Sequence, residues 1–475
     1  WHRCRNRCDT DSALMKYILI LLFFFTSVVT AQPNIIYINA DDFGVMDVGF
    51  NNSKYHTPNI DRLRAEGMLF TNAYAPASNC APSRASVFSG QYGPRHGVYT
   101  VGTSARGEVK DRKLIPIKNT VHLAPEIETL SEVLQAGGYR TIHLGKWHLG
   151  MDPTEQGFDV NVGGYNMGGP KGGYYLPIQG QAKVAEFNDD YPAGTHIADV
   201  FADQAVKFIR SHREEPFFVH MAYYLIHTPL QAVPEMVDKY GGRRNRWAIY
   251  ASMVEKMDES IGKILAELDA QGLRDDTLVL FCSDNGAHSD ISSQAPHRSG
   301  KGSYFEGGIR EPLVVRWPGR VAPGATCDVP VMGIDFFPTF IDAAGIAAPK
   351  GKILDGLSLL PLLSQSGTIE ERSLFWHFPV YLQAYAGKAD DSHDPLFRTR
   401  PGSALRQGKW KFHEYFEEGR LELYDLEADP GERKNLVSLY PQKTTELHQV
   451  MQAWRSELQA PIPTELNPKF KSAEN

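Results

Sequence analysis

Four apolar, β-rich runs recur along the chain, and each ends in polar residues able to do chemistry. Asn34–Asn39 leads into Ala40-Asp41-Asp42, and Tyr139–Leu144 into Gly145-Lys146-Trp147-His148. Phe217–Ala222 leads through residues 223–226 into His227-Thr228-Pro229, and Thr277–Cys282 into Ser283-Asp284-Asn285-Gly286. Such near-continuous apolar runs predict strands buried on both faces of a parallel sheet. Helical patterns separate them. Ile60–Glu66 is opened by Thr57-Pro58-Asn59 and stopped by Gly67, Glu128–Ala136 is stopped by Gly137-Gly138, and Ile197–Ser211 and Ile249–Gln271 carry apolar residues at helical spacing. Proline near a helix start and glycine just past its end suit the backbone there. Strands alternating with helices predict an α/β doubly wound domain. In such sheets ligands bind beyond the carboxyl ends of the strands. All four polar clusters fall at those ends, so one pocket can collect them.

Residues 163–192 are rich in Gly, Tyr and Pro without a period, which predicts a long excursion at the pocket rim, a common home for substrate selectivity. Beyond about residue 370 the pattern changes. Ser403–Phe416 and Leu421–Leu426 predict antiparallel strands around a turn at Glu417-Glu418-Gly419, and Thr444–Leu458 a closing helix, together a smaller α+β subdomain.

At the other end, Met15-Lys16 precedes the apolar run Tyr17–Phe25, and the stretch closes on Val28-Val29-Thr30-Ala31. That order predicts a secretory signal peptide over residues 15–31, cut after Ala31, and an exported protein, periplasmic or secreted. The run falls short of the ~20 apolar residues of a spanning helix, so no stable membrane span is expected. Residues 1–14, with Cys4 and Cys8, read as upstream sequence and carry no fold argument.

Composition changes this picture little. Of 475 residues, 42% are hydrophobic and 22% charged, an ordinary globular mixture long enough to bury a large core. The net charge of -7 is spread along the chain, and no basic block marks a nucleic-acid surface. Past residue 31 only Cys80, Cys282 and Cys327 remain, too few for a disulfide framework. Cys282 lies inside an apolar run and reads as a buried core residue; a Cys282–Cys327 bridge stays open.

Cys80 stands apart. Cys80-Ala81-Pro82-Ser83-Arg84 begins a predicted short helix, Ser83–Ser89, stopped by Gly90. A cysteine at a helix N-terminus can be a low-pKa thiolate, although a half-buried structural cysteine is the commoner outcome. The segment resembles the sulfatase signature Cys-x-Pro-Ser-Arg, continued through Ala85–Gly90. It is joined in order by Pro33–Asp42, Thr57–Asp61, Gly145–Gly150, His227–Pro229, Ser283–Gly286 and Gly300-Lys301-Gly302, so the chain from Pro33 onward resembles the type I, formylglycine-dependent sulfatases. The resemblance implies an alkaline-phosphatase-like mixed sheet flanked by helices. It implies a sulfatase catalytic domain over residues 32–370 and a C-terminal subdomain over 371–475.

Asp41, Asp42, Asp284 and Asn285 are hard oxygen donors expected at two neighbouring strand ends. Calcium takes 6–8 such oxygens, which makes Ca²⁺ the first choice and Mg²⁺ the second. An isolated Asp-Asp or Asp-Asn-Gly is more often an exposed turn; the shared strand-end position reverses that preference. The resemblance implies that these four and residue 80 ligate the metal. It also implies that a dedicated formylglycine-generating enzyme oxidises Cys80 to 3-oxoalanine, whose hydrate is the nucleophile. Sulfate-ester cleavage needs its negative charge neutralised and its leaving oxygen protonated. By position, Arg84 would steady the hydrate, and Lys146 and Lys301 would face the sulfate oxygens. His148 would take a proton from the hydrate, and His227, with Lys301, would bind sulfate and protonate the leaving sugar oxygen. Each lysine and histidine taken alone is more often structural, and His143 and His220 stay in that class. Trp147 could stack on a sugar or simply pack.

Gln156–Gly164, Pro170–Tyr175 and Gly307–Pro312 resemble bacterial arylsulfatases and N-acetylgalactosamine-6-sulfatases. That resemblance implies exo-removal of sulfate from a glycan such as a galactan, ulvan or glycosaminoglycan. Two alternatives remain: a phosphonate or phosphodiester hydrolase, and a non-catalytic glycan-binding relative. No spare His and Asp cluster exists to hold the second ion of a two-metal phosphatase, which favours sulfate over phosphate monoesters.

Overall fold

A computed structural model describes residues 32–179, 182–385, 391–392 and 394–471. The expected signal peptide and Cys4 and Cys8 lie outside the described residues. From Gln32 onward the chain forms one compact unit.

Eight strands build the main sheet: β1 (Asn34–Ala40), β2 (Met68–Phe70), β3 (Arg140–Gly145), β4 (Val160–Val162), β5 (Phe217–Ala222), β6 (Thr277–Ser283), β7 (Leu313–Arg316) and β8 (Ala325–Cys327). Their order is β4-β3-β5-β1-β6-β7-β2-β8. The first five are mutually parallel, and β7 runs antiparallel to both its neighbours. The four sequence runs are therefore β1, β3, β5 and β6, the adjacent centre of the sheet. The short strands β2, β4, β7 and β8 were not anticipated, because three or four residues are too few to show a period.

Alternation along β1 explains why the sheet is buried on both sides. Ile36 and Ile38 face one core with α4 (Ile197–Ser211) and α5 (Arg246–Ala270). Ile35 and Tyr37 face the other with α2 (Cys80–Ser89), α3 (Leu130–Ala136) and α6 (Phe336–Ala343). The remaining early helix, α1 (Pro58–Glu66), has Pro at its start as expected. The Thr129 hydroxyl and the Glu132 carboxylate close a capping box on α3, setting its start two residues later than the apolar pattern alone implied.

The C-terminal region is an antiparallel sheet of β9 (Leu374–Phe378), β10 (Gly402–Gln407), β11 (Trp410–Tyr415) and β12 (Arg420–Asp425), with α7 (Pro441–Glu457) packed against it. The predicted Ser403–Phe416 strand is in fact two. Gly408, at φ +55°, turns the chain between them, and the alternation resumes so promptly that one strand was read. Cys282 and Cys327 are both free, so no bridge joins β6 to β8.

A buried ionic cluster fastens this sheet to the main domain. Lys411 on β11 donates to Glu306 at 2.9 Å, and Glu306 also accepts from Tyr74 at 2.7 Å. Glu432 accepts from the Glu306 backbone N–H at 2.6 Å and pairs with His413 at 3.3 Å. Lys411, Glu306 and Glu432 are fully buried, and removing one partner from such a cluster strands the others. Lys411→Ala is expected to cost about 3–5 kcal/mol in chemical unfolding; an unchanged unfolding midpoint would contradict this account of the interface.

Candidate active site

Backbone hydrogen bonds stitch the strand ends into one floor. Asp41 N–H donates to Leu225 O at 2.8 Å and Ile226 N–H to Asp41 O at 2.6 Å, which ties the His227 loop to β1. Asp284 N–H donates to Ala40 O at 3.1 Å, and Lys146 N–H to Ala222 O at 2.7 Å. Neighbouring parallel strands thus deliver Asp41, Asp42, Lys146, His227, Asp284 and Asn285 to the same edge, where such sheets bind ligands.

Carboxylate oxygens of Asp41, Asp42 and Asp284 lie within 4.8 Å of one another. Three like charges so close and so deeply buried need compensation, and three cations supply it. Lys146 Nζ is 2.7 Å from Asp41 Oδ2, Lys301 Nζ is 2.7 Å from Asp42 Oδ2, and Arg84 Nε is 2.8 Å from Asp284 Oδ2. The two lysines, expected to face sulfate, thus also neutralise the acidic cluster. Burial, only partly offset by Lys146, holds the Asp41 carboxyl well above its usual range. Burial raises Asp42 too, but Lys301, His227 and His288 more than offset it and its carboxyl stays well below that range. Asn285 Nδ2 donates to Asp42 Oδ1 at 2.8 Å. Asp41 Oδ1 and Asn285 Oδ1 remain buried without a hydrogen-bond donor among the described residues. Two orphaned hard oxygens inside a carboxylate cluster fit a divalent cation.

Cys80 begins α2, three residues earlier than predicted, with extended Asn79 at the N-cap position. The helix N-terminus therefore points at residue 80. Cys80 Sγ lies 3.9 Å from Lys301 Nζ, and Sγ falls within 4.8 Å of ligand atoms of Asp41 and His227. Gly302 N–H donates to Ser78 O at 2.8 Å, so the Lys301 turn and the Cys80 turn hold each other. Arg84, one turn along α2, also donates to Lys146 O at 2.8 Å.

The histidines are set differently. His227 Nδ1 lies 2.6 Å from Thr228 O, which fixes the proton on Nδ1, and Nε2 lies 3.9 Å from Asp42. Burial, then Lys301, push its pKa down to about 3. His148 is held neutral by burial and by Lys146, Arg84 and Lys301. Gly168 packs against its ring so closely that an added Cβ would come within 2.6 Å of Cε1. Asp42 and His148 both adopt left-handed backbone, φ +62° and +65°. Such strain, about 1–3 kcal/mol each, is characteristic of functional sites.

Asp41, Asp42, Cys80, Arg84, Lys146, His227, Asp284, Asn285 and Lys301 thus meet at one edge of the sheet, with His148 close enough to feel the Lys146, Arg84 and Lys301 charges. The sulfatase family profile matches residues 33–346. The chain belongs to the sulfatase family. An N-sulphoglucosamine sulphohydrolase C-terminal profile matches residues 300–460 of this sulfatase. It is 29% identical to a sulfatase of Formosa agariphila, with 90% of each chain covered. It is 33% identical to the N-acetylgalactosamine-6-sulfatase of Rattus norvegicus, over 73% of this chain and 68% of that one. It is also similar to Ps i-CgsB, solved in complex with k-i-k-neocarrahexaose, at TM-score 0.75 and 28% identity, covering 93% of this chain and 96% of that one. The sulfatase is thus an enzyme of sulfate-ester hydrolysis.

Trp147 is fully buried, edge-on to Phe88 at 4.8 Å, and packs rather than meets a sugar. His143 and His220 are buried and hydrogen-bonded to each other at 2.9 Å, as expected of structural residues. His288, Tyr385, Arg398 and Arg106 at the rim were missed. His288 lies in irregular chain after β6, and the other three come from segments with no strand-end signal. Added Ca²⁺ is expected to raise the thermal midpoint, by about 2.7 kcal/mol of stability at a hundredfold excess over Kd. Asp41→Asn and Asp284→Asn should lose that increment, and an equal gain in those variants would count against the cluster as the cation site.

Proposed function

We propose that this sulfatase removes sulfate esters from a sulfated glycan in an exo manner, with Cys80 matured to formylglycine and one divalent cation, Ca²⁺ before Mg²⁺. The observation that carries the reading is the convergence of Asp41, Asp42, Cys80, Arg84, Lys146, His148, His227, Asp284, Asn285 and Lys301 on one floor, all of them buried except the partly exposed His227. The oligosaccharide bound to Ps i-CgsB and the N-acetylgalactosamine-6-sulfatase relatives support a sugar sulfate as substrate. We further propose export through residues 15–31, consistent with an extracellular glycan, and maturation by a formylglycine-generating enzyme. No described helix is long and apolar enough to cross a membrane.

Asp41, Asp42, Asp284 and Asn285 would hold the cation beside residue 80. A bound divalent cation neutralises charge on the sulfate oxygens and lowers the pKa of a hydroxyl held against it. As formylglycine, residue 80 supplies an aldehyde hydrate as the nucleophile. The chain's own groups do the rest. The α2 N-terminus, Lys146 and Lys301 stabilise negative charge spreading over the sulfate. Arg84 holds Asp284 and keeps positive charge one turn from residue 80. His148, neutral and set in its strained turn, accepts a proton from residue 80's side of the site. His227 donates one from Nε2 to the leaving sugar oxygen. A sulfate anion beside His227 opposes the burial that keeps the ring neutral, so substrate binding favours the protonated donor.

Cys80→Ala should abolish turnover, and His227→Ala should lower it about 10²–10⁴-fold, the span of a lost general acid, with folding retained. The peptide containing residue 80 should be about 18 Da lighter than its thiol form. Chelation should silence the enzyme, with Ca²⁺ restoring it better than Zn²⁺. Near-normal activity in Cys80→Ala would remove the mechanism. Faster turnover of a nitrophenyl phosphodiester than of nitrophenyl sulfate would move the assignment to the phosphodiester hydrolases.

A further inference from the structure

Each cation on the site floor has its aspartate, but among the described residues two further guanidinium groups, those of Arg106 and Arg398, have none. Arg398 is only 8% exposed. Its Nη1 donates to Lys301 O at 3.0 Å and its Nε to Gln383 O at 3.0 Å, and no hydrogen bond among the described residues engages Nη2. It stacks on Tyr385 with its guanidinium 3.8 Å from the ring centre, and Tyr385 in turn meets His288 at 3.2 Å. Arg106 is half-buried and donates to Val101 O. No carboxylate among the described residues pairs with either arginine.

The fold goes to some length to hold Arg106 there. Arg112 Nη1 donates to Ala105 O at 2.8 Å and Arg106 O at 3.2 Å. Ala105 pairs with Tyr381 as an isolated bridge. Gly107, at φ +78°, lies so near Phe397 that a Cβ would approach its ring to 2.7 Å. This loop therefore lies against the segment that carries Arg398. Burial, then the charge of Arg398, push the Arg106 pKa down.

Two neighbouring guanidinium groups repel, and withdrawing them from water without an anion is unfavourable. Their planar forks match sulfate and carboxylate oxygens. We propose that Arg106, with Arg398 beside it, binds a second anionic group of the substrate, a sulfate ester or a carboxylate other than the sulfate being removed. The enzyme is thereby selective for glycans that carry two anionic groups close together. This rests on the sulfatase reading and adds what that reading leaves open, the charge pattern of the glycan.

The test compares Arg106→Gln, Arg106→Lys and the parent on three sulfated disaccharides: one with a single sulfate, one with a second sulfate and one with a uronate carboxylate. In Arg106→Gln the KM for a dianionic disaccharide should rise at least ten times more than for the monosulfated one, with kcat nearly preserved and Arg106→Lys intermediate. Which dianionic arm responds identifies the group. Equal losses on all three substrates, or none, would overturn the proposal. Calorimetry of the same disaccharides with Cys80→Ser protein reads Arg106 without turnover. Should the parent hydrolyse no sulfate, the sulfatase reading fails while binding still decides the arginine site; loss of dianion selectivity in Cys80→Ser/Arg106→Gln supports it, and its retention refutes it.

Discussion

Everything at this site follows from forcing three aspartates together where water cannot screen them. A carboxylate moved out of water needs an opposite charge or strong hydrogen bonds. Asp41, Asp42 and Asp284 each receive a cation from a different element: Lys146 after β3, Lys301 from the turn beyond β6, and Arg84 from α2. The need to neutralise the acids thus becomes the means of assembling the site, because each pairing forms only when the two segments that carry it are in place. The lysines, drawn in by the aspartates, end close to residue 80 and to the space a sulfate would enter.

The arrangement is balanced without being satisfied. Among the described residues, Asp41 Oδ1 and Asn285 Oδ1 lack donors, and Arg84 Nη2 lacks an acceptor. Unmade hydrogen bonds in a buried site are costly and are retained where a ligand completes them. The opposite displacements of Asp41 and Asp42 make the same point. Chemically alike and adjacent, they differ because Asp42 is faced by Lys301, His227 and His288 together, whereas Asp41 has Lys146 but sits against both other carboxylates. A cation among the three would relieve Asp41 most.

The sequence made the site more legible than its surroundings. The strand-end clusters could be read because each follows an apolar run whose length and lack of polar interruption fix its place in a parallel sheet. Cys80 could be read because its pentapeptide is specific. The helix α2 starts three residues before the predicted Ser83, with Pro82 inside its first turn, where no intrahelical N–H bond is required. The edge strands and the Gly408 turn were too short or too regular to register. Arg106, His288, Tyr385 and Arg398 were invisible for a different reason. They meet only in three dimensions, from loops and from the short pair Leu382–Gln383 and Phe397–Thr399, and no local pattern marks a residue whose role depends on such distant neighbours.

That last group also explains why the C-terminal region belongs to the function. Lys301 lies on a turn with little secondary structure of its own, yet its ammonium must be held against Asp42 and residue 80. Ser78 fixes the turn from one side, while Arg398 and Thr399 fix it from the other by donating to the Lys301 and Gly302 carbonyls. A few residues on, Glu306 is locked to Lys411 and Glu432. A charged network buried this deeply is poor evidence of stability in itself. Its geometric specificity is another matter: it permits one seating of the C-terminal sheet, and that seating sets where Lys301 stands. The C-terminal region therefore braces the turn that carries Lys301, through contacts from residues 97 positions further along the chain.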